Sequence, residues 1–156
     1  MRDLAECQGI IFTVRADHAR IRKSLLGALH AFRAVDRRAR RVEIAVQMIE
    51  PLTSLLAQLR RHFAAEEEDG GSLEEAVCCC PSLSHEARRV DEEHPELLAE
   101  LEAIIARLRE PTPHHGGTAE DQRLLEQFAD RLERHEATEN QILSLAFGGA
   151  FGEDAI

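Results

Sequence analysis

Tryptophan and tyrosine are absent from this 156-residue chain and phenylalanine occurs only six times, while Ala, Leu, Arg and Glu are abundant. Strands draw on aromatic and β-branched residues, so the composition points away from a sheet and toward helices packed through aliphatic seams. A surplus of positive charge is also lacking, the formal net charge being −10. Nucleic acid and anionic membrane surfaces would repel such a chain, and neither is expected as a partner. No apolar run is long enough to span a bilayer, and the start, MRDLAECQGIIF, lacks the basic residues, long apolar core and cleavage site of a signal peptide. A cytoplasmic location is the expectation. A disulfide framework is missing too, because the four cysteines are Cys7 and the run Cys78-Cys79-Cys80, and adjacent cysteines bridge only by straining the peptide between them. The triplet has no second cysteine cluster to complete a soft-metal site and is read as a loop with incidental thiols.

What is present is helical periodicity. The length suits one domain, 1–156, with helices at about 3–36, 42–69, 84–110 and 118–147. The first run has a seam of Cys7, Ile11, Val14, Ile21, Leu25, Ala28 and Phe32 whose gap is filled by His18. In the second, Leu52, Leu55 and Leu59 lead into His62 and Glu66; in the third, His94 stands between Val90 and Leu97. In the last, Leu125, Phe128 and Leu132 lead into His135 and Glu139, followed by Ile142 and Ala146. Breaks fall at the basic turn Arg37 to Arg41, at Gly70-Gly71, in the linker Pro111 to Gly117 and at Gly148-Gly149. Ser72 to Val77 suits a short helical turn, and Ser84 an N-cap. Pro51 fits either a first turn or a kink, and Pro95 a kink or a restart. His30 and His85 fall off the seams, and His114 and His115 lie in the linker.

Four such helices joined by short loops favour an all-α, up-down-up-down antiparallel four-helix bundle. At a rise of about 1.5 Å per residue, His18 and His62 return to similar heights on either side of the first turn, as do His94 and His135 around the second linker. The shared core then receives His18, His62, Glu66, His94, His135 and Glu139. Each residue alone reads about equally as a hydrogen-bonded core residue or as a ligand. Six together do not, since an unpaired buried polar group costs about 1 to 3 kcal/mol and a buried carboxylate more. A metal centre removes the conflict. Closed zinc sites take four ligands, often thiolate, whereas mixed imidazole and carboxylate donors suit iron or manganese, and two carboxylates can bridge two ions.

With these residues in place the chain resembles a hemerythrin-like protein of the HHE cation-binding family: a His in helix one (His18), H-x-x-x-E ending helix two (His62 and Glu66 in HFAAEEED), a His in helix three (His94 in DEEHPELL) and H-x-x-x-E in helix four (His135 and Glu139 in HEATENQIL). The match runs from about residue 10 to 147. The resemblance implies two iron ions joined by an oxo or hydroxo bridge, with manganese or zinc as lesser alternatives, and a small ligand such as O2, NO or peroxide in sensing, storage or stress response. It also leaves open a redox enzyme (peroxide or NO turnover, or iron-sulfur cluster repair) or a bundle with a structural metal. Oxygen-carrying hemerythrins have two histidines one turn apart on the third helix, but Val90 stands four before His94. Glu67, Glu93 and His85 are the candidates for that position, or it stays open, and reversible oxygen carriage does not follow from the resemblance. Oligomeric state is left open.

Overall fold

The computed structural model describes residues 3–34, 41–110 and 118–148. Among them there are helices and no strand: α1 (Leu4–Ala34), α2 (Arg41–Glu67), α3 (Ser72–Cys79), α4 (Ser84–Arg109) and α5 (Thr118–Phe147), with a 3-10 turn at Pro81–Leu83. Arg37 to Arg40, the linker 111–117 with His114 and His115, and Gly149 lie outside the described residues. No described helix is long and apolar enough to cross a membrane.

The punctuation of the chain has specific causes. Past the end of α2, Gly70 takes a φ of 81°, the left-handed conformation that lacks a steric penalty only for glycine. A Cβ on Gly71 would come within 2.1 Å of the Glu66 carbonyl oxygen, so the second glycine lets the chain fold back tightly under the helix end. Three local expectations need correction. Ser84 is the first residue of α4 and Leu83 its N-cap, because the 3-10 turn feeds directly into the helix. Cys78 and Cys79 complete α3 instead of lying in a loop, and all four thiols are free. Pro51 stands inside α2 and not in its first turn, and α4 runs through Pro95 without a restart. Both prolines face solvent; each removes one backbone donor and crowds the carbonyl one turn before it.

The four long helices form a ring of neighbours, α1 against α2, α2 against α4, α4 against α5 and α5 against α1. Residue numbers run in opposite senses across each pair. Asp17 meets His62 and Ser24 meets Gln58; Arg33 meets Glu126 and Arg22 meets Glu136; Arg60 meets Glu102 and Glu67 meets His94; Arg107 meets Asp121 and Glu93 meets His135.

The core is two apolar compartments separated by a polar layer. One holds Ile21, Leu25, Leu52, Leu59, Phe63, Leu97, Leu101, Phe128 and Leu132 among others. The other holds Ile11, Val14, Leu73, Ala76, Val90, Ile142, Leu143 and Phe147 among others. His18 falls between Val14 and Ile21, His94 between Val90 and Leu97, and His135 with Glu139 between Leu132 and Ile142. Helix α2 stops just beyond the layer, at Glu67, so the second compartment has only α1, α4 and α5 around it. Helix α3 supplies the missing wall with Leu73 and Ala76, packing chiefly on α5.

Candidate metal centre

All six residues expected to meet in the core are buried and stand in this layer, at least one from each long helix. His18 Nε2 lies 2.7 Å from Glu139 Oε2 and 3.1 Å from His62 Nε2, which is 3.2 Å from Glu66 Oε1. On the other side, His135 Nε2 lies 3.0 Å from Glu139 Oε1 and His94 Nε2 lies 3.3 Å from Glu66 Oε2. Glu139 thus turns Oε2 toward His18 and His62 and Oε1 toward His94 and His135, while Glu66 turns one oxygen toward His62 and the other toward His94. Two groups with the geometry to hold a cation result, His18-His62-Glu66-Glu139 and His94-His135-Glu139, with Glu139 common to both.

Metal bonds of about 2.0–2.2 Å set at right angles place neighbouring ligand atoms about 3 Å apart, and the separations above fall around that value. Both oxygens of Glu66 and of Glu139, together with Nε2 of His94 and His135, are buried without a hydrogen-bond partner among the described residues. These are the atoms that face the layer. The donor set therefore fits one cation or two.

Protonation follows from the same crowding. Burial works against a charged imidazole, but the nearby Glu139 and Glu66 carboxylates outweigh it and push His62 up to about 9. His94 rises to about 10, against its own burial, through Glu139, Glu66 and Glu67. His135 also rises, with Glu139 again overcoming burial. Burial lifts Glu66 to about 7, and the neighbouring Glu139 charge adds to it. Burial also opposes ionisation of Glu139, yet the four histidines around it hold its carboxyl well below the usual range. Such a cluster carries protons that a cation would displace.

The outward ring nitrogens are held as well. His94 Nδ1 donates to Glu67 Oε1 at 2.8 Å, His135 Nδ1 to Glu93 Oε2 at 2.8 Å, and His62 Nδ1 faces Asp17 Oδ2 at 3.4 Å. Glu67 and Glu93, the candidates for a further ligand, each lie against the outward Nδ1 of an imidazole, on the side away from the layer. His85 is exposed on the outside of α4. Phe63 stacks on His94 with ring centres 4.1 Å apart and meets His135 edge-on at 5.4 Å, walling the layer on the apolar side.

Three acidic residues of this region escape a reading by seams. Asp17 and Glu136 are chain neighbours of cluster residues and read as solvent-facing, yet Glu136 is 4% exposed. Asp91 has a usable signal, its i, i+3 spacing to His94 on one helix face. Its Oδ1 is buried without a hydrogen-bond partner among the described residues, and burial raises its carboxyl. It directly follows Val90, the position one turn before His94 where a second histidine of α4 is missing.

Two clefts reach the layer from outside. One of about 450 Å³ passes Gly9, Thr13, Gly70 and Gly71 to reach His62 and Glu66. Another, of about 810 Å³, meets Asp17 and His62 beneath Arg20, Lys23 and Arg61. No protein-family model, curated protein or solved structure matches the chain.

Proposed function

We propose that the chain is a single hemerythrin-like domain, residues 1–156, folded as an up-down-up-down antiparallel four-helix bundle. Its role is to hold a non-haem di-iron centre that binds O2, NO or peroxide. His18 and His62 would hold one ion, His94 and His135 the other, and Glu66 and Glu139 would bridge. The observation that carries this reading is the split of each carboxylate between the two histidine pairs. Iron would supply redox chemistry and a coordination position for the small ligand. The protein would supply a layer closed by apolar compartments on both sides and the 450 Å³ cleft as a path for something small. Free thiols and a net charge of −10 support a cytoplasmic protein without nucleic-acid or membrane partners.

The test is anaerobic reconstitution with ferrous iron, followed by metal analysis and visible spectra before and after O2. Two irons per chain and a new near-ultraviolet to visible band on oxidation are expected; less than one iron per chain overturns the proposal. The cleft also supports a second reading, a redox enzyme turning over peroxide or NO. Sustained oxygen release from peroxide by the iron-loaded protein favours turnover, and a stable adduct favours binding.

A further inference from the structure

The outward carboxylates follow a rotation rule. Asp17 of α1 faces His62 of α2, Glu67 of α2 faces His94 of α4, and Glu93 of α4 faces His135 of α5. Each is the chain neighbour of a cluster residue on its own helix, and each serves the imidazole of the next helix around the ring. The geometry is general: a residue adjacent to an inward-pointing one is turned by about 100° and lies on the flank against the neighbouring helix. On α5 the acidic chain neighbour of a cluster residue is Glu136, directly after His135, and the next helix in the ring is α1.

We propose that Glu136 is the positioning residue for His18, closing a ring of four carboxylates in which each helix orients the metal-binding imidazole of the next. This rests on the di-iron reading above. His18 Nε2 is committed to Glu139 at 2.7 Å, which leaves Nδ1 as the outward atom. His18 Nδ1 and Glu136 Oε1 are both buried, and neither has a hydrogen-bond partner among the described residues. Glu136 points toward α1, since its Oε2 lies 3.6 Å from Arg22, one turn beyond His18. Burial pushes the Glu136 carboxyl up, while the His18 and Arg22 charges pull it back. In the loaded protein His18 Nδ1–H donates to Glu136 Oε1. That fixes the tautomer with Nε2 free for the ion and raises its basicity, as outer carboxylates do for metal-bound histidines. With Glu66 and Glu139 the ring surrounds the centre with six carboxylates, a setting that favours the more highly charged oxidised ions.

The test uses the full chain loaded with zinc, which is redox-silent, and separately with iron. In the zinc form, nitrogen-15 and proton NMR of the imidazoles should show four hydrogen-bonded Nδ1–H protons, His18 included. Glu136→Gln should shift the His18 signal and leave that of His135, whereas Glu93→Gln should do the reverse. Zinc affinity should fall about 10–100-fold in Glu136→Gln, and the iron form should have a raised reduction potential. Only three such protons in the wild-type zinc form overturns the ring, and that measurement needs no variant to fold. An unmoved His18 signal and potential in Glu136→Gln overturn it equally. Failure of the wild-type chain to take up either metal instead overturns the di-iron reading beneath it.

Discussion

Glu139 and Glu66 occupy the same layer but carry different loads. Glu139 is fully buried and belongs to both cation groups, with all four histidines drawn to it. Glu66 belongs to one group and reaches the other only through its Oε2 contact with His94. Glu139→Gln therefore removes an anionic ligand from both positions, and the purified variant is expected to retain less than one metal per chain after gel filtration. Glu66→Gln leaves His94, His135 and Glu139 together, and at least one metal per chain is expected to remain. Equal losses in the two variants, measured by elemental analysis, would contradict the asymmetry.

The hinge between α2 and α3 decides whether Glu66 is in place. Gly71 has the Glu66 carbonyl where its Cβ would be, so Gly71→Ala must displace the end of α2 and with it the Glu66 carboxylate. A lower melting temperature and weaker metal binding are expected together. Leu59→Ala is the comparison: it sits in the larger apolar compartment, should cost about 2–5 kcal/mol, and should leave metal stoichiometry unchanged. Calorimetry with metal titration on both variants separates the two effects. The contrast also explains what could be read in advance. His18, His62, Glu66, His94, His135 and Glu139 announce themselves because each interrupts an apolar seam at helical spacing. Asp17 and Glu136 stand beside the seam, where an acidic residue on an amphipathic helix reads as solvent-facing, and Glu67 and Glu93, also beside it, read only as candidates for a further ligand. Only the packing of the next helix sets Asp17, Glu67 and Glu93 against the outward nitrogens of its imidazoles and buries Glu136. The role of α3 was equally hidden, since nothing local says that α2 ends one compartment short of its neighbours.

The polar layer couples the whole bundle to pH, and the sign can be worked out. In the metal-free protein His62 and His94 titrate near 9 and 10, and His135 is raised in the same direction, all above the ordinary value of 6.5. Between about pH 6.5 and 10 the folded state thus holds protons that the unfolded chain has released, and stability falls as pH rises through that window. Glu66, raised to about 7 from 4.5, acts in the same direction at lower pH. Glu139 is lowered, so its stabilisation is present above about pH 4.5 and is lost only on acidification below that. A bound cation reverses the histidine contribution, because the imidazoles must give up their protons to ligate and affinity rises with pH. Binding to the folded state alone also adds stability by mass action. The melting temperature of the metal-free protein should therefore drop steadily from pH 6.5 to 9.5, while that of the zinc- or iron-loaded protein should not. The gap between the two curves should widen with pH, and loading should release protons, seen as a buffer-dependent binding enthalpy. A metal-free melting temperature that is flat or rising over this range would show that His62, His94 and His135 are not charged against Glu139 and Glu66, and the electrostatic account of the layer would fall with it.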